Sequence, residues 1–152
     1  MQITGKTVVV TGGARGIGKQ IARTFAEHGA NVALFDMNAL DLAQSVAEIT
    51  ALGVKAASYV VNVTQEADVI AAMSSVVAEF GRLDVLINNA GIVKDHLLIK
   101  TKDGQQVGKM SLQQWQAVLD VNLTGVFLCG REAAERMIRL GQPGVIINIS
   151  SI

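Results

Sequence analysis

Apolar and polar positions along this chain repeat with two different periods, and the switches between them lay out an alternating order of strands and helices. A β-branched run at residues 7–10 predicts a first strand. Ile17, Ile21 and Phe25 then fall four apart and predict a helix with that apolar face, stopped by Gly29. Residues 31–36 (NVALFD) carry a buried-strand pattern that ends in an acid. Asn38 is placed to cap a second helix, whose apolar positions are Leu42, Val46 and Ile49 and whose end is Gly53. Residues 56–61 predict a third strand, and Val69, Met73, Val76 and Phe80 mark a helix closed by Gly81. Residues 83–88 (LDVLIN) predict a fourth strand. Ser111-Leu-Gln-Gln114 is a capping box heading a long helical pattern that runs, with a kink, to about Arg139. A turn at residues 141–144 leads into a fifth strand at residues 145–150 (VIINIS).

Near-continuous apolar strands separated by helices imply a parallel sheet covered on both faces, a Rossmann-type doubly wound α/β fold. No break in composition divides residues 1–152, which are expected to form one domain. Residues 97–110 interrupt the rhythm: Asp103-Gly104 lies between two short alternating runs, which points to a β-hairpin insertion, with a disordered loop as the plainer alternative. The last strand reads as an interior one, yet nothing after it covers its edge and faces. The chain is therefore expected to be the N-terminal part of a longer protein, with its fold incomplete at the C-terminus.

Composition narrows the picture. Half of the 152 residues are hydrophobic and only 4% aromatic, so the core must be built from Val, Ile, Leu and Ala. Thirteen basic residues balance thirteen acidic ones, and no basic stripe recommends nucleic acid or an anionic membrane surface. No apolar run approaches the roughly 18 residues of a membrane span, and the opening residues lack a signal pattern. The single cysteine, Cys129, excludes an internal disulfide and suits a reducing compartment, so a cytoplasmic location is expected. No metal site is expected.

The candidate chemistry begins at Thr11-Gly12-Gly13-Ala14-Arg15-Gly16-Ile17-Gly18, between the first strand and the first helix. Gly12, Gly16 and Gly18 allow a tight turn and close approach of backbone to phosphate, and the helix start at Gly16, Ile17 and Gly18 turns amide N–H groups toward it. A glycine-rich turn of some other α/β protein is the alternative. Asp36 adds weight: it ends the second strand eighteen residues beyond Gly18, where a dinucleotide fold places an acid against the adenosine ribose. Its carboxylate would repel the 2′-phosphate of NADP, by about 4 kcal/mol at ~4 Å and an effective dielectric near 20. Arg15 argues the other way, since its guanidinium could bind that phosphate. NAD is favoured and NADP remains open. Asp36 could instead be only a cap for the helix that begins near Asn38.

With these residues in place the chain resembles the short-chain dehydrogenase/reductase family over its full length. Asn88-Asn89-Ala90-Gly91 matches that family's N-N-A-G motif, and Asn62-Val63 the position that flanks the adenine. Asn122 matches the helix asparagine of the catalytic set. In Ile147-Asn-Ile-Ser-Ser151 the register assigns the catalytic serine to Ser151. The resemblance implies that Asn89, Ala90 and Gly91 border the ribose and nicotinamide half. It gives Ser151 the task of holding a substrate carbonyl and lets Asn122 position water, although a helix-breaking polar residue with local hydrogen bonds is the plainer reading of Asn122. The family's acid–base tyrosine follows the serine by about thirteen residues, with a lysine four further on. That places them near position 164, beyond the 152 residues, so the isolated chain is expected to be inactive. Tyr59, Cys129, His28 and His96 offer no substitute.

Within the family the motifs are most similar to 3-oxoacyl-carrier-protein reductases. The implied reaction moves hydride between the nicotinamide and a ketone or secondary alcohol, carried on a small molecule or an acyl thioester. Sugar, polyol and other secondary-alcohol dehydrogenases are alternatives, and a catalytically silent nucleotide-binding module is another of a different class. Lys94, Lys100, Lys102 and Lys109 would form a basic rim for an acidic carrier, or simply a solvated face. A homodimer or homotetramer is implied by the resemblance.

Overall fold

The computed structural model describes residues 2–150. The elements follow in the order β1 (Thr7–Thr11), α1 (Gly16–Glu27), β2 (Asn31–Asp36), α2 (Ala39–Thr50), β3 (Ala56–Val60), α3 (Glu66–Phe80), β4 (Val85–Asn88), β5 (Ile99–Lys102), β6 (Gln105–Lys109), α4 (Leu112–Leu119), α5 (Gly125–Arg139) and β7 (Val145–Asn148). A π-helical turn, Asp120–Thr124, joins α4 to α5. Five strands form one parallel sheet in the order β3-β2-β1-β4-β7.

Alternation along β1 sends its side chains to two separate cores. Val8 and Val10 pack with Val32, Leu34, Val85 and Ile87 under α1 and α2, while Val9 faces Phe35, Leu86, Met73 and Leu128 under α3 and α5. Both faces of the central strands are thus buried, which explains why they read as continuous apolar runs. The chain winds from β1 outward to β3, then restarts at β4 on the other side of β1. The connections that leave the carboxyl ends of β1 and β4 therefore run to opposite sides, a topological switch point where α/β sheets open a crevice.

Helix α1 departs from its predicted face. The residues against the sheet are Gly18, Ala22 and Ala26, whereas Ile17 is 70% exposed and Ile21 and Phe25 are only partly buried. The cause is distance: a Cβ on Gly18 would lie 2.1 Å from the Gly12 carbonyl oxygen, so the helix comes down on its smallest residues. Where the sequence predicts a kink, the long helix holds the π-helical turn, a recognised source of bends. Residues 97–110 hold an antiparallel pair, β5 with β6, with a bulge between Lys100 and Thr101 and a left-handed Asp103 at the turn (φ 50°). Among the described residues β7 pairs only with β4, and Val145, Ile146 and Ile147 are 38 to 41% exposed.

Candidate functional site

The glycine turn is held from three sides. Thr11 Oγ1 accepts the amides of Asn89 and Ala90, each at 3.0 Å, which ties the end of β1 to the end of β4. The Asn89 side chain returns the contact, donating to the carbonyls of Thr11 at 3.0 Å and Gly12 at 3.2 Å. From α2, the buried Ser45 hydroxyl donates to the Ala14 carbonyl at 2.7 Å. Gly12 itself has φ +64°, and a Cβ there would sit 3.0 Å from Ala90 Cα. Only glycine satisfies both conditions.

Asp36 closes the second wall. Its carboxylate accepts from the amides of Ala14 (3.2 Å), Met37 (2.8 Å) and Asn38 (3.2 Å). The cap of α2 is Asn38, whose side-chain oxygen accepts from Leu40 and Asp41. Asp36 is therefore not the helix cap, and it stands half-buried at the rim of a cleft of about 720 Å³. Gly12, Arg15, Asp36, Asn62, Val63, Asn89, Ala90 and Gly91 all border this one cleft. Gly16, Ile17 and Gly18 do not line it. Gly18 is buried beneath Gly12, and the Ile17 side chain lies in a shallow apolar groove on the outside of α1 with Ile21 and Phe25.

The start of α1 is open. Arg15 occupies its N-cap position without a side-chain cap bond, and no acid lies in the first turn. Helix α2, by contrast, has both the Asn38 cap and Asp41. Unsatisfied first-turn amides and the positive end of the helix dipole suit an anionic phosphate group. A Cβ on Gly16 would meet nothing within 4 Å, which leaves room for a ligand against the turn. These residues fit a dinucleotide pyrophosphate.

Asn122 sits in the π-helical turn and clamps one residue of the loop after β4. Its Oδ1 accepts from the Ile92 amide at 2.9 Å and its Nδ2 donates to the Ile92 carbonyl at 3.0 Å. Ile92 lines the cleft, so Asn122 reaches the site through its neighbour. Asn88 turns inward and donates to Asn148 Oδ1 at 2.9 Å. The serine expected at Ser151 lies outside the described residues.

The excluded candidates have structural explanations. The Tyr59 hydroxyl donates to Glu79 at 2.6 Å, and burial together with that carboxylate pushes its pKa upward, away from service as a base. The Cys129 thiol is fully buried, and burial, aided by the charge of Glu132, pushes its pKa up to about 12. The His28 ring hydrogen-bonds the Thr24 carbonyl at 2.8 Å at the end of α1, and His96 lies exposed ahead of β5. Sequence reasoning placed Thr11 and Gly13 in the motif without giving either a role, and it missed Ser45. Gly13 is required because a Cβ would fall 2.8 Å from Leu34 Cδ2. Ser45 carried a usable signal: it is a polar residue on the buried stripe of α2, between Leu42 and Ile49, where a hydroxyl needs a partner.

Known proteins are similar to the chain in sequence and in fold. A family model described as short chain dehydrogenase matches residues 6–152. A 3-oxoacyl-[acyl-carrier-protein] reductase of Staphylococcus aureus is 43% identical over 97% of the chain and 56% of its own length. One from Thermotoga maritima is 38% identical over 100% of the chain and 58% of its own. Among solved structures, a short-chain type dehydrogenase/reductase from Mycobacterium marinum superposes with a TM-score of 0.87 at 34% identity, covering 99% of this chain and 57% of that one. NAD+-bound xylitol dehydrogenase gives 0.83 at 34% identity, with 99% and 55% covered. A metagenomic short-chain oxidoreductase in complex with NADP gives 0.83 at 36%, with 100% and 65% covered. The chain spans just over half the length of the curated relatives it matches.

Proposed function

The chain belongs to the short-chain dehydrogenase family, and we propose that it forms the coenzyme-binding part of an NAD(P)-dependent oxidoreductase resembling the 3-oxoacyl-carrier-protein reductases. The observation that carries this reading is the convergence of the glycine turn, Asp36 and the Asn89-Ala90-Gly91 segment on one cleft at the switch point. When bound, the nicotinamide supplies or accepts the hydride exchanged with the carbon of a ketone or secondary alcohol. The first turn of α1 binds the pyrophosphate, and Asp36 accepts hydrogen bonds from the adenosine ribose. Asn62 and Val63 flank the base. Asn89 keeps the turn in shape, and Asn122 is a positioning residue acting through Ile92. Ser151, by its place after β7, would hold the substrate carbonyl.

NAD is the proposed coenzyme because Asp36 is fixed by three amides where a 2′-phosphate would have to lie. Arg15, at the same rim, keeps NADP as the second choice. A polyol or sugar dehydrogenase is the second reading of the substrate, favoured by the same acid and by the likeness to NAD+-bound xylitol dehydrogenase. Calorimetric titration of the chain with NADH and NADPH tests the coenzyme assignment. Tighter NADH binding is expected; tighter NADPH binding overturns the preference, and no binding of either overturns the assignment. Turnover of 3-oxoacyl thioesters against polyols, measured on the whole protein, separates the two substrate readings.

A further inference from the structure

Two apolar side chains between β2 and α2 line the cleft and yet stand in water: Met37 is 68% exposed and Leu40 84%. The backbone beneath them is fixed. The amides of Met37 and Asn38 donate to the Asp36 carboxylate at 2.8 and 3.2 Å, and those of Leu40 and Asp41 donate to the Asn38 side chain, each at 3.1 Å. The Met37 thioether is therefore held at the rim beside Asp36, within reach of small solutes. The other methionines among the described residues are shielded. Met73 is fully buried and Met137 nearly so in the core under α3 and α5, and Met110 is half-buried after β6. The single thiol, Cys129, is buried and protonated, so it offers no competing target. The most accessible sulfur among the described residues thus sits on the lip of the cleft.

We propose that Met37 is an oxidation site, at which hydrogen peroxide converts the thioether to a sulfoxide and so weakens coenzyme binding. The proposal rests on the dinucleotide assignment given above. In the reaction sulfur gives two electrons to the peroxide. The O–O bond breaks, one oxygen bonds to sulfur, and the other leaves as water with both hydrogens. The product exchanges a polarisable apolar group for a polar, chiral one. With the ribose at Asp36, the base lies between the Met37 and Leu40 lip and the buried Val61 and Val63, all of which border the cleft. A thioether packs well against the flat face of an aromatic ring, which has no hydrogen to donate to a sulfoxide oxygen. Most amides of the lip are already bonded to Asp36 and Asn38, so the new oxygen turns to water and draws the side chain off the base. The coenzyme, once bound, covers the same sulfur.

Limited treatment of the chain with hydrogen peroxide tests this, followed by removal of the peroxide, peptide mass analysis and calorimetric titration with NADH. Sulfoxide is expected at Met37 ahead of Met110, Met73 and Met137. The dissociation constant for NADH is expected to rise by about threefold or more, less than the loss of one fully buried apolar side chain would cause. Saturating NAD+ present during the treatment is expected to slow sulfoxide formation at Met37. Met37→Leu changes an exposed position and leaves the core untouched. It cannot take up the oxygen, so whatever its starting affinity, peroxide is expected to leave that affinity unchanged. Earlier oxidation of another methionine, an NADH affinity unaltered by sulfoxide at Met37, no protection by NAD+, or an equal loss in Met37→Leu overturns the proposal. An untreated wild-type chain that binds no NADH overturns the coenzyme assignment, and this proposal with it.

Discussion

The Asp36 carboxylate accepts from three backbone amides, one of them in the glycine turn, so its position is set before any ligand arrives. A phosphorylated ribose would face a fixed negative charge rather than a side chain able to swing aside. Asp36→Ala is therefore expected to weaken NADH binding while improving NADPH, shifting the ratio of the two by at least about tenfold, roughly a third of the ~4 kcal/mol that bare repulsion allows. Calorimetry on the pair of coenzymes reads that ratio, and an unchanged value removes Asp36 from coenzyme choice. A second carboxylate, Asp84, works in the opposite environment. It is fully buried at the other end of the sheet, accepting from Arg82 at 2.6 and 2.7 Å and from the Thr7 amide at 2.9 Å, with Lys6 Nζ at 3.2 Å. Burial alone would raise its pKa, but Arg82, the Thr7 amide and Lys6 outweigh it and hold the carboxyl below its ordinary value. A lowered folded-state pKa means that the cluster stabilises the fold at pH above the unfolded value, near 4. That contribution disappears as pH falls through the folded value. Asp84→Asn is expected to lose about 3 kcal/mol at pH 7, at the low end for a broken buried pair because Arg82 and Lys6 are partly solvated. It should also flatten the acid limb of stability, as measured by urea midpoints between pH 7 and pH 3. A variant with the wild-type acid limb would show that another group controls it.

At the scale of elements, α1 shows what periodicity can and cannot disclose. The four-residue spacing of Ile17, Ile21 and Phe25 correctly announced a helix but pointed to the wrong face, because hydrophobicity reports preference for burial and not the space available. The space is set by Gly12, whose carbonyl lies where a Gly18 side chain would begin. Gly18→Ala is thus expected to push α1 off the sheet, destabilising the chain by several kcal/mol and opening the turn; overpacking of this kind typically costs about 1–3 kcal/mol even where side chains can give way. A thermal midpoint within a degree of wild type would mean that helix and turn can separate freely. The β2 strand, the Asn38 cap, the Ser111 capping box and the hairpin turn at Asp103-Gly104 were all legible because their signals are local. The roles of Thr11, Gly13 and Ser45 were not, since each depends on an element distant in the chain, at Asn89, Leu34 and Ala14 respectively. Asn122 stands between these cases. Its place in an irregular helix was legible, but its grip on Ile92, thirty residues away, needed the fold.

Across the whole molecule the sheet separates two cores, and the one beneath α3 and α5 contains its own reporter. Cys129 is fully buried there among Leu86, Met73, Ala133 and Met137. Its thiol pKa is pushed up to about 12 by burial and by Glu132, so at pH 8 it is both inaccessible and protonated. Glu132 is held in turn by Arg136 at 2.6 Å and Arg131 at 2.9 Å, and Arg136 reaches across to the Ile70 carbonyl at 3.1 Å, which fastens α5 to α3. A thiol reagent can attack only when that layer opens. Opening against about 5 kcal/mol makes labelling of the native chain roughly a thousandfold or more slower than labelling of the unfolded chain. The Arg136→Ala variant, which removes the tie between the helices, should speed native labelling while leaving the rate in denaturant unchanged. The denaturant dependence distinguishes two modes of opening. A rate that climbs as steeply as global unfolding means that both cores open together through the shared sheet, and a shallow slope means that α5 lifts alone. The expected result is the steep one. Val9, Phe35 and Leu86 bury one layer while Val8, Val10 and Val32, on the same or neighbouring strands, bury the other, so neither layer can be exposed without disturbing the strands they share.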